Sequence, residues 1–197
     1  MALCKKVLDV LGWPTLLTIY GGPGSGKTNL ALEFVKYYCI SSCLYVSTQL
    51  APTVERMSTL GINLRIILLR NVTDYVDLVD VLLRHNFHMF DLAVFDPINV
   101  FAREGGAGYS ATLFALAALR RIHEVLGLPI ILTAMVHRDP GAGEDRPLAE
   151  NAIYFWSKGI ARLEHVGGNL RRILIERPRS FEATFKISKG GIEWSTC

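Results

Sequence analysis

Charge is scarce in this chain. Only 20% of its 197 residues are Asp, Glu, Lys or Arg, while 50% are hydrophobic. That balance excludes a disordered chain, which lacks the apolar residues needed to offset the entropy of ordering. Long apolar runs are also missing. No stretch approaches the roughly 20 residues that cross a bilayer, so a soluble protein with no membrane partner is expected. Met1-Ala2-Leu3-Cys4-Lys5-Lys6 leads into a short amphipathic segment, not the apolar centre of a signal peptide. The expected localisation is cytoplasmic. Cysteine is sparse, at Cys4, Cys39, Cys43 and Cys197. Cys39 and Cys43 stand four apart, but no second close pair completes a zinc site. Free thiols in a reducing compartment are the expectation. The net charge is only +3, compatible with an anionic partner without requiring one. No composition shift, internal repeat or low-complexity tract divides the chain, so residues 1–197 are expected to form one domain.

Glycine, in contrast, is concentrated where it matters. Gly21-Gly22-Pro23-Gly24-Ser25-Gly26-Lys27-Thr28 fits G-x-x-x-x-G-K-[ST] at every fixed position. Glycines let a backbone wrap with its N–H groups turned inward, in conformations a Cβ forbids. Those N–H groups and the N-terminus of the following helix bind phosphates. The expected nucleotide-binding residues are therefore Gly22, Pro23, Gly24, Ser25, Gly26, Lys27, Thr28 and Asn29. Lys27 would reach the β- and γ-phosphates of ATP, and the Thr28 hydroxyl would ligate Mg²⁺. The flanks agree. Leu16 to Tyr20 is a short apolar run, and Asn29 to Tyr38 places Leu30, Ala31, Phe34, Val35 and Tyr38 at helical spacing.

The remaining pattern predicts an α/β fold. Residues 2–11 read as a helix stopped by Gly12 and Pro14. Ser42–Ser47, Arg65–Leu69, Leu92–Asp96 and Pro129–Val136 read as strands. Pro52–Leu60, Thr73 to about Arg84, and Tyr109–Leu126 read as helices between them. The strands are apolar almost throughout, as in a mainly parallel twisted sheet covered by helices on both faces. After Val136 a polar, glycine-rich stretch runs to Pro147, then a short helix from about Glu150 to Lys158. Four strands come next with no helix between them, at Ile160–Val166, Leu170–Glu176, Ala183–Ser188 and Gly191–Trp194, so antiparallel C-terminal hairpins are expected. Asp96 ends an apolar strand well after the phosphate loop, where an acid can hold Mg²⁺ beside Thr28. A strand-ending Asp-Pro turn is the alternative. Asp91 is also acidic but opens that strand, at the wrong end of the sheet.

Several segments together resemble the RecA-like recombinase core, in its archaeal RadA and RadB branch. Lys6 to Gly12 resembles the family's L-D-x-L-L-G lead-in. Tyr20 to Leu30 is close to its P-loop (Walker A). Tyr45-Val46-Ser47-Thr48-Gln49 sits where the family has Y-I-D-T-E. Pro52 to Met57 resembles its P-E-R-L helix, and Ile131 to Val136 its V-V-T-N-Q-V strand. Arg171–Pro178 and Phe185–Ile192 resemble its closing hairpins. The resemblance spans essentially the whole chain. It implies a RecA-like P-loop NTPase core that starts at the ATPase region, without the helical DNA-binding domain and the filament-forming linker of full recombinases.

The resemblance also implies function. The family's catalytic glutamate falls at Gln49, which positions water but is a negligible base. Its γ-phosphate-sensing glutamine falls at Met135. Binding of ATP with weak or absent hydrolysis is therefore expected, with Lys27 and the degenerate Gln49 as the catalytic positions. The family binds DNA through loops that correspond to Phe101–Tyr109 and His137–Arg146. Arg103, Arg138 and Arg146 are the candidates for phosphate contact, and Tyr109 for base stacking on single-stranded DNA. Glu104, Asp139, Glu144 and Asp145 dilute that charge, and mixed-charge surface loops stand as the alternative. Arg171, Arg172, Arg177 and Arg179 would line the nucleotide, a neighbouring protomer, or a solvated sheet edge. The implied protein is a RadB-like recombinase paralogue that assists homologous recombination and DNA repair, with the main recombinase or another recombination protein as partner in a homo- or hetero-oligomer. The rivals are a nucleotide-gated regulatory or scaffold subunit and a KaiC-like signalling ATPase, both without DNA binding.

Overall fold

A computed structural model describes residues 3–138 and 145–196. The first half alternates as the apolar pattern predicts: α1 (Lys5–Leu11), β1 (Leu16–Tyr20), α2 (Lys27–Tyr38), β2 (Cys43–Ser47), α3 (Leu50–Thr59), β3 (Ile67–Asn71), α4 (Tyr75–Arg84), β4 (Leu92–Asp96), α5 (Gly106–Leu126) and β5 (Ile130–Ala134). A small hairpin of β6 (Val136–Arg138) and β7 (Asp145–Pro147) leads to α6 (Glu150–Trp156). Then come β8 (Gly159–Gly167), β9 (Leu170–Arg177), β10 (Phe181–Ser188) and β11 (Gly191–Trp194).

Nine strands form one sheet in the order β11-β10-β9-β8-β1-β5-β4-β2-β3. From β8 to β3 neighbours are parallel; from β8 to β11 they are antiparallel. Strands β1, β2, β4 and β5 are buried at every residue. That is why they read as continuous apolar runs rather than alternations. One core layer joins Leu17, Ile19, Phe34, Tyr45, Met57 and Val94 under α1, α2 and α3. The other joins Leu16, Leu44, Phe95, Leu116, Leu119 and Leu132 under α4, α5 and α6. Phe34, Trp13 and Tyr38 form an aromatic cluster, with the Phe34 ring centroid 4.5 Å from that of Trp13 and 6.1 Å from that of Tyr38. Full burial of such a side chain is worth about 1.5–3 kcal/mol. No helix among the described residues is long and apolar enough to cross a membrane.

Several boundaries differ from the sequence expectation. A 3-10 turn at Leu64–Ile66, capped by the Asn63 side chain, delays the third strand to Ile67. The cap of α4 is Asp74, which accepts from the Asp77 N–H at 2.8 Å, rather than Thr73. Thr73 instead donates its N–H and hydroxyl to the Asp77 carboxylate. The glycine-rich stretch expected as a loop up to Tyr109 is mostly helical. Val100–Glu104 forms a 3-10 turn and α5 begins at Gly106. The cysteines differ too. Cys39 and Cys43, with Cα atoms 5.7 Å apart across the α2–β2 turn, are joined in a disulfide, and Cys4 is also disulfide-bonded. The described cysteines are therefore not the expected free thiols; Cys197 lies outside the described residues.

Candidate functional site

The glycine-rich segment links β1 to α2 at the C-terminal edge of the parallel strands. Gly26 is the N-cap of α2, with φ of 99°, a region that other residues rarely adopt. A Cβ on Gly21 would stand 2.2 Å from the Leu163 carbonyl oxygen, so β8 closes in on the loop only because that side chain is absent. The Ser25 hydroxyl is buried and has no hydrogen-bond partner among the described residues. Buried polar groups are almost always paired. An unpaired hydroxyl inside a cradle of backbone N–H groups suits an incoming phosphate.

Lys27 stands at the first position of α2. Its ammonium donates to the carbonyls of Gly21 at 2.7 Å and Gly22 at 3.0 Å. Burial lowers its pKa, against the opposing pull of the Asp96 and Asp145 carboxylates. The Thr28 hydroxyl donates to Asp96 Oδ2 at 2.8 Å. The Tyr45 hydroxyl donates to the same oxygen at 2.8 Å, and the Thr133 hydroxyl donates to Asp96 Oδ1. Three strands, β2, β4 and β5, and the head of α2 thus fix one carboxylate. Burial first, and the Asp96 charge second, raise the pKa of Tyr45 well above the ordinary value, so it remains a donor. A hydroxyl beside a carboxylate is an all-oxygen pair of the kind Mg²⁺ takes. These residues fit that ion. Asp91 lies at the opposite end of β4, where it accepts from the N–H groups of Ile40, Ser41 and Ser42.

A cavity of about 330 Å³ opens above these groups. It brings together Pro23, Lys27, Thr28, Gln49, Asp96, Arg103, Thr133 and Met135. Gln49 caps α3; its N–H donates to the Ser47 hydroxyl at 3.0 Å, and its carbonyl accepts from Thr53. The buried Asn99 side chain holds the backbone of Met135 by two hydrogen bonds, at 2.7 and 3.0 Å. Asn29, also at the head of α2, accepts from Arg56 Nε at 2.8 Å. Arg56 reaches on to the carbonyls of Ser188 and Lys189. Arg171 donates to the Gly24 carbonyl at 3.1 Å, behind the loop.

Three of the candidates for nucleic-acid contact gather at one hairpin: Arg138 and Arg146 stand on β6 and β7, and Arg103 donates to the Val136 carbonyl of β6. Arg103 lines the cavity. Tyr109 is exposed on the first turn of α5. Arg146 pairs with Glu150 at 3.4 Å. The Arg138 side chain and residues 139–144 lie outside the described residues. The four C-terminal arginines, in contrast, separate. Arg171 backs the glycine-rich loop, Arg172 pairs with Glu164, Arg177 lies over the Tyr154 ring, and Arg179 is exposed. Sequence reasoning did not single out Tyr45, Thr133, Asn99 or Arg56. The signal for the first two was a hydroxyl at the interior of each apolar strand beside β4.

No protein-family model matches the chain. Individual relatives do. A "DNA repair and recombination protein RadB" from Thermococcus kodakarensis is 30% identical over 200 residues, 91% of this chain and 90% of that protein. Proteins of the same name from Thermococcus onnurineus and Halobacterium salinarum are 28% and 25% identical, over 96% and 91% of this chain. Among solved structures, the crystal structure of the RadB recombinase superposes with a TM-score of 0.74 at 28% identity, covering 96% of both chains. Its likeness extends through the antiparallel C-terminal strands. Together with the glycine-rich loop and the Thr28–Asp96 pair, these matches lead to one conclusion: the chain belongs to the RadB family of RecA-like recombinases.

Proposed function

We propose that this chain is an ATP-binding recombinase paralogue that assists homologous recombination and DNA repair, and that it turns ATP over slowly or not at all. The observation that carries the nucleotide half is the bond between Thr28 and Asp96 at the head of α2, in one cavity with Lys27. Thr28 and Asp96 would hold Mg²⁺, which neutralises charge shared between the β- and γ-phosphates. The loop N–H groups and Lys27 bind the phosphates. Gln49 orients water without accepting its proton. The names of the relatives support the role in repair and recombination. Single-stranded DNA would be met by Arg138 and Arg146 of the β6–β7 hairpin and by Tyr109, with a recombinase as protein partner.

Thermal unfolding with and without millimolar Mg-ATP or Mg-ADP tests the reading, since a ligand that binds only the native state raises its stability by mass action. Wild type should melt higher with nucleotide. Lys27→Ala should lose the shift while melting normally without nucleotide. A wild type with no shift in either nucleotide removes the reading.

A further inference from the structure

Resemblance assigns Arg103 to a DNA loop, but its position in the fold also brings it to the cavity lined by Lys27 and Asp96. It sits on the 3-10 turn Val100–Glu104, just beyond the strand that ends in Asp96. That turn is firmly seated. Phe101 is buried, and the Ala102 N–H donates to the Asn99 carbonyl at 3.2 Å. A Cβ on Gly108 would stand 2.1 Å from the Phe101 carbonyl oxygen, so the first turn of α5 packs directly on it. The Arg103 guanidinium leans from this seat toward the end of β5 and donates to the Val136 carbonyl at 3.4 Å. It thereby lines the cavity that holds Lys27, Asp96, Gln49 and Met135. Among the described residues it has no carboxylate partner.

We propose that Arg103 contacts the γ-phosphate of bound ATP and makes the site prefer ATP over ADP. The proposal rests on the nucleotide-binding reading above. Lys27 and Thr28, at the head of α2, would serve the β- and γ-phosphates and Mg²⁺. Arg103, Gln49 and Met135 line the same cavity. The Met135 side chain offers no hydrogen-bond donor and Gln49 no charge, so Arg103 is the cavity's second cation, beside Lys27, among the described lining residues. A guanidinium is permanently charged and presents a planar fork of donors that matches phosphate oxygens. Its bond to Val136 is long and its side chain is exposed, so little is lost when it turns to a better acceptor.

The test compares binding of Mg-ADP and of the Mg complex of a non-hydrolysable ATP analogue, by calorimetry, in wild type, Arg103→Ala and Arg103→Lys. Arg103→Ala should lose about tenfold or more in affinity for the analogue, as expected for a charge-assisted contact, with ADP affinity unchanged. Arg103→Lys, which keeps the charge but not the fork, should recover part of the loss. Equal losses for both nucleotides, or none for either, overturn the proposal. Loss of single-stranded DNA binding in nucleotide-free Arg103→Ala, with the analogue-to-ADP ratio intact, also overturns it and returns the residue to nucleic acid. A wild type that binds neither nucleotide removes the underlying reading itself, and that is read before any variant is made.

Discussion

At the scale of single residues, the proposed slow turnover of ATP rests on Gln49 and Met135. Both line the cavity, yet neither has a group that takes a proton from water or binds a phosphate through a charge. General-base assistance is worth about 10²–10⁴ in rate. Gln49→Glu combined with Met135→Gln should therefore raise single-turnover ATP hydrolysis within that range. Wild-type turnover of about 1 per second, insensitive to Gln49→Ala but lost in Lys27→Ala, would require a different base.

A second residue-scale expectation concerns pH. His123 is buried in α5, with Nδ1 2.8 Å from the Leu128 carbonyl. Burial lowers its pKa, and the Lys158 and Arg120 charges add to that, against the Leu128 hydrogen bond and the Glu124 charge. An unfolded histidine titrates near pH 6.5. Between the depressed folded value and about 6.5 the unfolded chain binds more protons, so stability rises with pH there. The contribution is complete above about pH 6.5 and fades as pH falls below it. The melting temperature should drop less between about pH 7.5 and about pH 5.5 in His123→Gln than in wild type. Identical drops would place the acid sensitivity elsewhere.

Legibility at this scale tracked chain locality. Gly26, Lys27 and Thr28 were readable because their chemistry lies within one short segment. Asp96 was readable from its place at a strand end. Tyr45 and Thr133 act on Asp96 from two other strands, so only the strand order reveals them.

At the scale of elements, the C-terminal hairpins brace α2. Glu33 is buried on that helix and accepts the Ile192 N–H at 2.7 Å. A Cβ on Gly191 would stand 2.0 Å from the same carboxylate oxygen, and φ there is 123°. Gly191→Ala therefore meets both a clash and backbone strain. It should cost about 2 kcal/mol or more, read as a lower denaturation midpoint with an unchanged slope. A neutral result would mean that the turn between β10 and β11 relaxes freely. The hairpin itself was visible in the sequence through Gly190-Gly191. Its grip on α2 was not, because a glutamate within an amphipathic helix looks solvent-facing until its partner is known. The start of α5 was missed for the opposite reason: its glycines suggested a loop, yet Gly108 is what lets the helix settle onto the preceding turn.

At the scale of the whole molecule, the alternation of strand and helix was readable up to β5 because each buried strand is an unbroken apolar run. The order of strands was not, since no local pattern states that β1 lies between β5 and β8. The β6–β7 hairpin stands directly after Met135, at the same edge of the sheet as the phosphate loop. Weak, salt-sensitive binding to single-stranded DNA is expected there. Replacing Arg138 and Arg146 together should weaken it and reduce the slope of log affinity against log salt by about 1 to 2. An unchanged slope would shift attention to other cations, such as the exposed Arg179.

The central position of β1 has a consequence for how the protein is made. Its two sheet neighbours are β5 and β8, which begin at Ile130 and Gly159, while the glycine loop beside it rests against Leu163 of β8, Arg171 of β9 and Ile187 of β10. Ribosomes add about 5–20 residues each second, so β1 leaves the exit tunnel on the order of ten seconds before β8 exists to flank it. During that interval an apolar strand has two open edges, and the glycine loop beside it lacks its packing partners. A nascent chain halted after β5 carries Lys27, Thr28 and Asp96, but it should show no nucleotide-dependent protection from proteolysis until β8 to β10 have emerged.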